Sequence, residues 1–180
     1  SATYAAMIEA NLIDKARHIA RLPGGAVYGP NPLWFTSESQ LPHCNGVLQA
    51  VFAPQEIEEQ VKQIVAQFKN AGKVFNWWVG PSSEPGDLGS YLQKCGLVHD
   101  RDMLGMAIEL RKLPAPTIQE LAALQFESVE DAETFAEWFA VLAQSFPITP
   151  ENAALLQQSM HAASLAPGTL WKHYIGRVNG

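Results

Sequence analysis

The chain has 180 residues, of which 47% are hydrophobic and 17% are charged, and its formal net charge at pH 7 is −6. This composition is typical of a globular protein, and the length allows one large domain or one and a half smaller ones. The acidic balance argues against a nucleic-acid partner, because backbone binding needs clustered Lys and Arg. No apolar run approaches the roughly 20 residues that span a bilayer, which argues against a membrane partner.

The sequence has neither the pattern of a signal peptide nor that of a disulfide framework. Ser1–Met7 lacks a basic stretch followed by an apolar core. Cys44 and Cys95 are the only two cysteines. We therefore expect a reducing, cytoplasmic setting.

The charge is unevenly distributed along the chain. After Leu113 the only basic residues are Lys172 and Arg177, so most of the acidic excess lies in the C-terminal part. Such an acidic surface could attract a cationic amine. A solvated acidic face that aids solubility explains the same pattern and is the preferred interpretation.

Hydrophobic periodicity predicts alternating helices and strands in the first part of the chain. The clearest helix is the one over Pro54–Ala71, where apolar residues form a single stripe. In chain order the predicted elements are a helix over Tyr4–Leu22, a hairpin or interrupted strand over Gly25–Thr36, a strand over Gly46–Phe52, the helix over Pro54–Ala71, a strand over Val74–Val79, a short helix that follows the N-cap Asp87 and ends at Gly96, and a strand over Met103–Leu110.

A second set of elements follows a proline-containing linker. Its predicted elements are a strand over Leu121–Ser128, a helix over Val129–Phe146, a helix over Glu151–Leu165 and a strand over Leu170–Val178. The final Asn179-Gly180 pair is typical of the start of a hairpin turn. We therefore expect this part to be the opening of a second domain, either truncated or completed by another chain.

The stretch Phe75–Leu97 has the strand, loop and helix of many phosphate cradles but lacks their glycine signatures. Pro81 and Pro85 remove backbone N–H donors that a phosphate would need. Glu84 and Asp87 place negative charge at the start of the helix and would repel an anion. A structural turn with an aspartate cap is therefore the preferred interpretation.

The other strand-to-helix junction, Val51–Gln60, is also poorly suited to a phosphate. It contains no glycine, so a pyrophosphate could not approach the backbone closely. The first turn of its helix carries Glu56, Glu58 and Glu59, whose carboxylates would oppose a bound anion.

A metal site and a hydrolytic site are two alternative interpretations of the sequence. His43, Cys44, Cys95 and His99 include metal-binding side chains, but neither C-x-x-C nor H-E-x-x-H spacing occurs. Cys95 lies on the apolar face of its helix, which suits a core residue. No G-x-S-x-G motif is present. We predict no metal site and assign no catalytic residue.

A family resemblance rests on a tryptophan and proline pattern in this first part. The stretch Trp77–Leu88 reads Trp-Trp-x-x-Pro-Ser-x-x-Pro-x-Asp-Leu. It resembles the degenerate first half of tandem GNAT-type N-acetyltransferases, which transfer an acetyl group from acetyl-CoA to an amine. The sequence from Leu121 resembles the opening of the second, catalytic half. Further matching stretches are Trp34-Phe35-Thr36, Pro42, Asn45-Gly46-Val47-Leu48, Gly96-Leu97, Met106-Ala107-Ile108 and Leu110.

The resemblance implies an α/β fold with a GNAT-like mixed β-sheet and flanking helices. It implies a GNAT-like domain over 1–112, a linker over 113–118 and the opening β-α-α-β part of a second GNAT-like domain over 119–180. The acetyl-CoA motif of the family corresponds to Phe52–Glu59, where its glycines are missing, and in the second half it would lie beyond Gly180. Acetyl-CoA is thus expected for the full-length family, but we predict no cofactor-binding residue in this chain.

Two functional hypotheses follow. In the first, the chain is related to an acetyltransferase but inactive by itself, and the corner Phe146-Pro147 lies on the acceptor-substrate side. In the second, the chain is a non-enzymatic binding or oligomerisation module derived from an acetyltransferase. The strand Leu170–Val178 would then offer an unpaired edge to a second copy of the chain or to a missing C-terminal segment.

Overall fold

The computed structural model of the chain describes residues 2–21, 24–113, 124–145, 149–166, 168–169 and 171–178. The chain divides into two compact units, unit 1 over 1–107 and unit 2 over 108–180, and both contain helices and strands. The predicted mixed α/β class is confirmed. Beyond Leu113, the predicted linker lies outside the described residues. Within the described residues, no helix combines the length and apolar character needed to cross a membrane.

Unit 1 is built on a four-stranded sheet in the order β1–β2–β3–β4. Its strands are Ala26–Tyr28 (β1), Leu33–Thr36 (β2), Gly46–Leu48 (β3) and Asn76–Trp77 (β4). β2 is antiparallel to both β1 and β3, whereas β3 and β4 are parallel. Of the two alternatives predicted for Gly25–Thr36, a hairpin or an interrupted strand, the pairing of β1 with β2 shows the hairpin.

Three helices accompany this sheet: Ala2–Ile19 (α1), Ile57–Asn70 (α2) and Leu88–Lys94 (α3). The predicted stripe of α2 is confirmed, because its apolar side is buried while its charged side is exposed. After α3, Gly96 has a φ of 89°, a left-handed conformation that favours glycine at the end of a helix. Asp87 stands at the N-cap position of α3, but its side chain makes no capping hydrogen bond.

The core of unit 1 lies between α2, α3 and the sheet. Phe68 is fully buried, and its ring stacks on Phe75 with 4.0 Å between ring centroids. Trp34 meets the same ring edge-on at 5.4 Å. Aromatic side chains from β2 and from the residue before β4 thus meet at the Phe68 ring of α2. The buried members of this core are Val47, Ala50, Phe52, Ile57, Val61, Ile64, Phe68, Leu88 and Leu92.

One buried polar side chain fixes the connection that leads into β3. Asn45 is fully buried, and its Oδ1 accepts a hydrogen bond from the backbone N–H of Ser37 at 2.8 Å. Its Nδ2 donates to the carbonyl oxygens of Ser39, Leu41 and Val74 at 2.9, 3.2 and 3.3 Å. The amide therefore satisfies backbone groups on both sides of β3 that would otherwise be buried without partners.

The predicted strand over Met103–Leu110 is wrong. Residues 97–109 form no regular element, and a short 3-10 turn follows at Leu110–Lys112. Within Met103–Leu110, the large apolar side chains are exposed, from 63% for Ile108 to 86% for Leu104. Its strand-like composition has no partner strand among the described residues, and β-propensity is expressed only against a neighbouring strand.

Unit 2 has the order strand, helix, helix, strand. Its elements are Leu124–Ser128 (β5), Ala132–Ser145 (α4), Pro150–Ser164 (α5) and Tyr174–Val178 (β6). β5 and β6 pair antiparallel, with Phe126 opposite Gly176. Pro150 occupies the first position of α5, as predicted, where a missing N–H costs nothing.

The core of unit 2 is small. Its cluster of buried residues consists of Val129, Phe135 and Phe139, with Ile175 of β6 also buried. Successive residues of a strand alternate between faces, and the face opposite Ile175 is largely uncovered. On that face, Phe126 is 71% exposed. The two-stranded sheet therefore leaves apolar surface open to solvent among the described residues.

Candidate functional site

The junction between β3 and α2, which the family resemblance assigns to the cofactor, is occupied by the chain itself. The Phe52 N–H donates to the carbonyl oxygen of Glu84 at 3.0 Å, and the Glu84 N–H donates to Ala50 at 2.9 Å. The Asn31 side chain pairs with both backbone groups of Val51, at 2.7 and 2.8 Å. The backbone donors at the end of this strand are therefore already used.

The turn after β4 is anchored to α1. The Ser82 N–H and Oγ both donate to Glu9 Oε1, at 3.1 and 2.9 Å. Gly80 and Ser83 close the turn through two hydrogen bonds of 3.0 Å, one of them to the Ser83 hydroxyl. A Cβ at position 80 would collide with the Glu9 carboxylate. These contacts hold the turn in one conformation, and the polar groups that they involve are hydrogen-bonded within unit 1.

An open cleft of about 840 Å³ lies beside β4 in unit 1. We call it the β4 cleft. Its aromatic wall consists of Phe75, Trp77 and Trp78, all half-buried. Residues from α1, from the turn before β3, from α3 and from the segment after α3 form the remaining walls. The polar side chains lining it include Lys15, His43, Gln93, His99, Asp100 and Arg101.

The charged groups of the β4 cleft are only partly compensated. Arg101 Nε lies 2.8 Å from Asp100 Oδ2, and His99 Nε2 lies 3.1 Å from Asp102 Oδ1. Lys15 forms no ion pair with any residue that the structure describes. The cleft therefore presents one uncompensated positive charge.

Two titratable groups next to Lys15 have shifted pKa values. Burial lowers the pKa of His43, and the positive charge of Lys15 lowers it further, so the imidazole is neutral at pH 7. Burial raises the pKa of the Cys44 thiol, against the smaller opposing effects of a hydrogen bond with Ser39 and the Lys15 charge. His43 and Cys44 are therefore both uncharged at pH 7, and neither compensates the positive charge of Lys15.

The metal alternative gains no support from the geometry. His43 and His99 both line the β4 cleft, whereas Cys44 and Cys95 do not. Cys95 packs against the core, as predicted for a buried helix face. Among the described residues, no group of three or more His, Cys, Asp or Glu side chains is arranged to hold a metal ion.

Unit 2 contains a serine–histidine pair that the sequence analysis did not single out. Ser164 Oγ lies 2.8 Å from His173 Nε2, and Ser164 borders a cavity of about 250 Å³. Burial lowers the pKa of His173. The His173 ring packs against Trp138 at 4.1 Å, and no described carboxylate is hydrogen-bonded to it. Without an orienting acid, the pair serves as a tether between α5 and the segment before β6.

Phe146 and Pro147, the predicted acceptor-side residues, lie outside the described residues, as does Leu170 at the start of the predicted edge strand. That strand is confirmed over Tyr174–Val178. Sequence reasoning did not single out Lys15 as a residue of the β4 cleft, because it lies far in sequence from the tryptophans that line the same cleft. Comparisons of the chain with protein-family models, with curated proteins and with solved structures find no match.

Proposed function

We propose that this chain is a module derived from a GNAT-type acetyltransferase that neither binds acetyl-CoA tightly nor transfers acetyl groups by itself. One observation carries this proposal: the junction between β3 and α2 is closed by the Glu84 backbone, whose N–H donates to Ala50 and whose carbonyl oxygen accepts from the Phe52 N–H. In the resembled family, this position is the glycine-rich mouth of the cofactor site.

Electrostatics at the same junction support the proposal. Glu58 and Glu59 lie in the first turn of α2, and Glu56 immediately precedes it. The start of a helix carries a partial positive charge that favours anions, and these carboxylates already compensate it. The phosphates of acetyl-CoA would therefore meet negative charge at the start of α2, beside a strand end whose Val51 and Phe52 N–H donors are already used.

Isothermal titration of the 180-residue chain with acetyl-CoA tests the proposal. We expect no binding at micromolar concentrations. Acetyl-CoA binding with a micromolar dissociation constant would overturn it. A second titration, with Glu58→Gln and Glu59→Gln introduced together, distinguishes charge from geometry: if the hydrogen bonds of Glu84 close the site, removing the two charges leaves binding undetectable.

A second candidate function, self-association, is favoured by the surface of unit 2. The Phe126, Tyr174 and Val178 side chains are more than half exposed on one face of the β5–β6 sheet. Within the described residues, β6 pairs only with β5, so its other edge is free. If two copies of β6 paired antiparallel about Gly176, Tyr174 of one copy would lie opposite Val178 of the other. A second copy of the chain therefore fits this edge.

Light scattering across a wide range of protein concentration tests self-association. We expect a concentration-dependent dimer for the native sequence and a monomer for Val178→Lys, which places a charge on the edge strand. Val141→Lys, on an exposed position of α4, is the matched control and should leave the dimer intact. A monomer for the native sequence at every concentration would rule self-association out.

A further inference from the structure

The β4 cleft joins an aromatic wall to an uncompensated cation, and neither feature is explained by the function proposed above. We propose that this cleft binds a small planar aromatic anion, most simply an aromatic carboxylate, with its ring against Trp77 and Trp78 and its charge beside Lys15. This inference does not depend on a relationship to acetyltransferases.

The size and lining of the cleft fit such a ligand. Pockets for small molecules in proteins typically occupy about 300–1,000 Å³, and the cleft measures about 840 Å³. Phe75, Trp77 and Trp78 are half-buried, so each is held by packing while part of its side chain stays accessible. Flat aromatic surfaces of this kind favour stacked or edge-on contact with a planar ring.

The charges select an anion over a cation. The Arg101 guanidinium is paired with Asp100, whereas Lys15 has no ion pair among the described residues. The neighbouring imidazole of His43 is neutral because burial and Lys15 both disfavour its protonated form. A carboxylate would compensate the Lys15 charge in a partly enclosed site, where electrostatic attraction is stronger than in bulk water. An ammonium group at the same place would be repelled.

A buried donor supplies a third argument. The Trp77 indole N–H is buried and has no hydrogen-bond acceptor in the part of the chain that the structure describes. Such orphaned donors are uncommon in native proteins, because each costs free energy. Trp77 also lines the cleft. A ligand that supplies this donor with an acceptor oxygen would remove that cost.

The test uses 2-naphthoate as the probe, 2-naphthamide as its neutral analogue and 2-naphthylmethylammonium as its cationic analogue. Isothermal titration of the full chain at low salt should show that the carboxylate binds at least tenfold more tightly than either analogue. Lys15→Glu should weaken naphthoate binding at least tenfold. Lys62→Glu, which changes an exposed lysine of α2 outside the cleft, is the matched control and should change the affinity less than twofold.

Nuclear magnetic resonance locates the probe. The indole N–H signals of Trp77 and Trp78, assigned with Trp77→Phe and Trp78→Phe, should shift on titration with 2-naphthoate, while those of Trp138 and Trp171 should not. Equal affinity for the three probes, equal effects of the two lysine substitutions, or shifts confined to the tryptophans of unit 2 would each overturn the proposal. Because Lys15 is exposed, its substitution should leave the melting temperature unchanged, and circular dichroism checks this.

Discussion

Unit 1 and unit 2 both combine helices with a β-sheet, but they bury apolar surface to different extents. Unit 1 closes a cluster of nine buried residues between its helices and a four-stranded sheet. Among the described residues of unit 2, the corresponding cluster has three members and the sheet has two strands. A two-stranded sheet is marginal by itself in water. The difference indicates that unit 1 is the stable scaffold, whereas unit 2 gains most from a partner that covers its sheet.

The largest expected effect comes from the centre of the unit 1 core. Phe68→Ala should lower the free energy of unfolding of unit 1 by about 3–5 kcal/mol, because it removes a fully buried ring and leaves a cavity between Trp34 and Phe75. Urea unfolding followed by circular dichroism measures the change. Val141→Ala, which shortens an exposed side chain of α4 in unit 2, is the control and should cost at most about 0.5 kcal/mol. Equal costs would remove the distinction between the two units.

Loss of the buried Asn45 side chain should have the next largest effect on the free energy of unfolding. Asn45→Ala should cost about 2–3 kcal/mol, since it leaves the Ser37 N–H and several carbonyl oxygens without their partner inside unit 1. Asn31→Ala removes two hydrogen bonds to Val51 at an exposed site, where water can replace them, and should cost about 1 kcal/mol or less. Urea unfolding of both variants compares a buried amide with an exposed one. If Asn31→Ala were the more costly change, burial would not be the source of the effect.

The sequence predicts local elements of this structure but not the contacts of Asn45. Local patterns identified α2 from its apolar stripe, the β1–β2 hairpin from its composition and the end of α3 from Gly96. The hydrogen bonds of Asn45 could not be predicted, because its partners Ser39, Leu41 and Val74 come together only in the folded chain. A local sequence pattern predicts which helix or strand a segment can form. The burial of a side chain depends on which distant residues pack beside it in the folded chain.

The error over Met103–Leu110 has the same cause. Its apolar residues favour a strand, yet a strand also needs a neighbour with free backbone groups, and none of the described residues supplies one. The β4 cleft was missed for a related reason. Lys15, His43, Trp77 and Arg101 belong to separate parts of the sequence and carry no shared motif. Only the fold brings them to one cleft.

Acidification should lower the stability of both units, through His43 in unit 1 and His173 in unit 2. Burial lowers the pKa of His173 in unit 2 and, together with Lys15, that of His43 in unit 1, from an ordinary value of 6.5. The unfolded chain therefore binds protons more readily than the folded chain. Stability is full above pH 6.5 and falls as the pH drops towards the pKa of each folded histidine.

Thermal melts between pH 7.5 and pH 5 measure this loss. His173→Gln should flatten the pH dependence of unit 2 alone, and His43→Gln that of unit 1 alone. The effect should be larger for His43, where burial and a neighbouring cation act together. Stability that rises as the pH falls from 7 to 5.5 would contradict the direction of both pKa shifts.

The smallest effect concerns the charges that join the sheet of unit 2 to α4. Arg177 on β6 pairs with Glu127 on β5 and with Glu137 on α4, all at partly exposed positions. Arg177→Gln should lower the melting temperature of unit 2 slightly at low salt, and the difference from the native chain should shrink in 1 M NaCl, where charges are screened. Lys62→Gln breaks an exposed ion pair with Glu58 in unit 1 and should have a smaller effect still, because it joins residues of a single helix. If the loss for Arg177→Gln persists at high salt, the apolar stem of the arginine, rather than its charge, connects α4 to the sheet. In that case, packing between α4 and the β5–β6 sheet stabilises unit 2, as packing against its sheet stabilises unit 1. The lower stability of unit 2 would then come from the other face of the β5–β6 sheet, which carries the exposed Phe126.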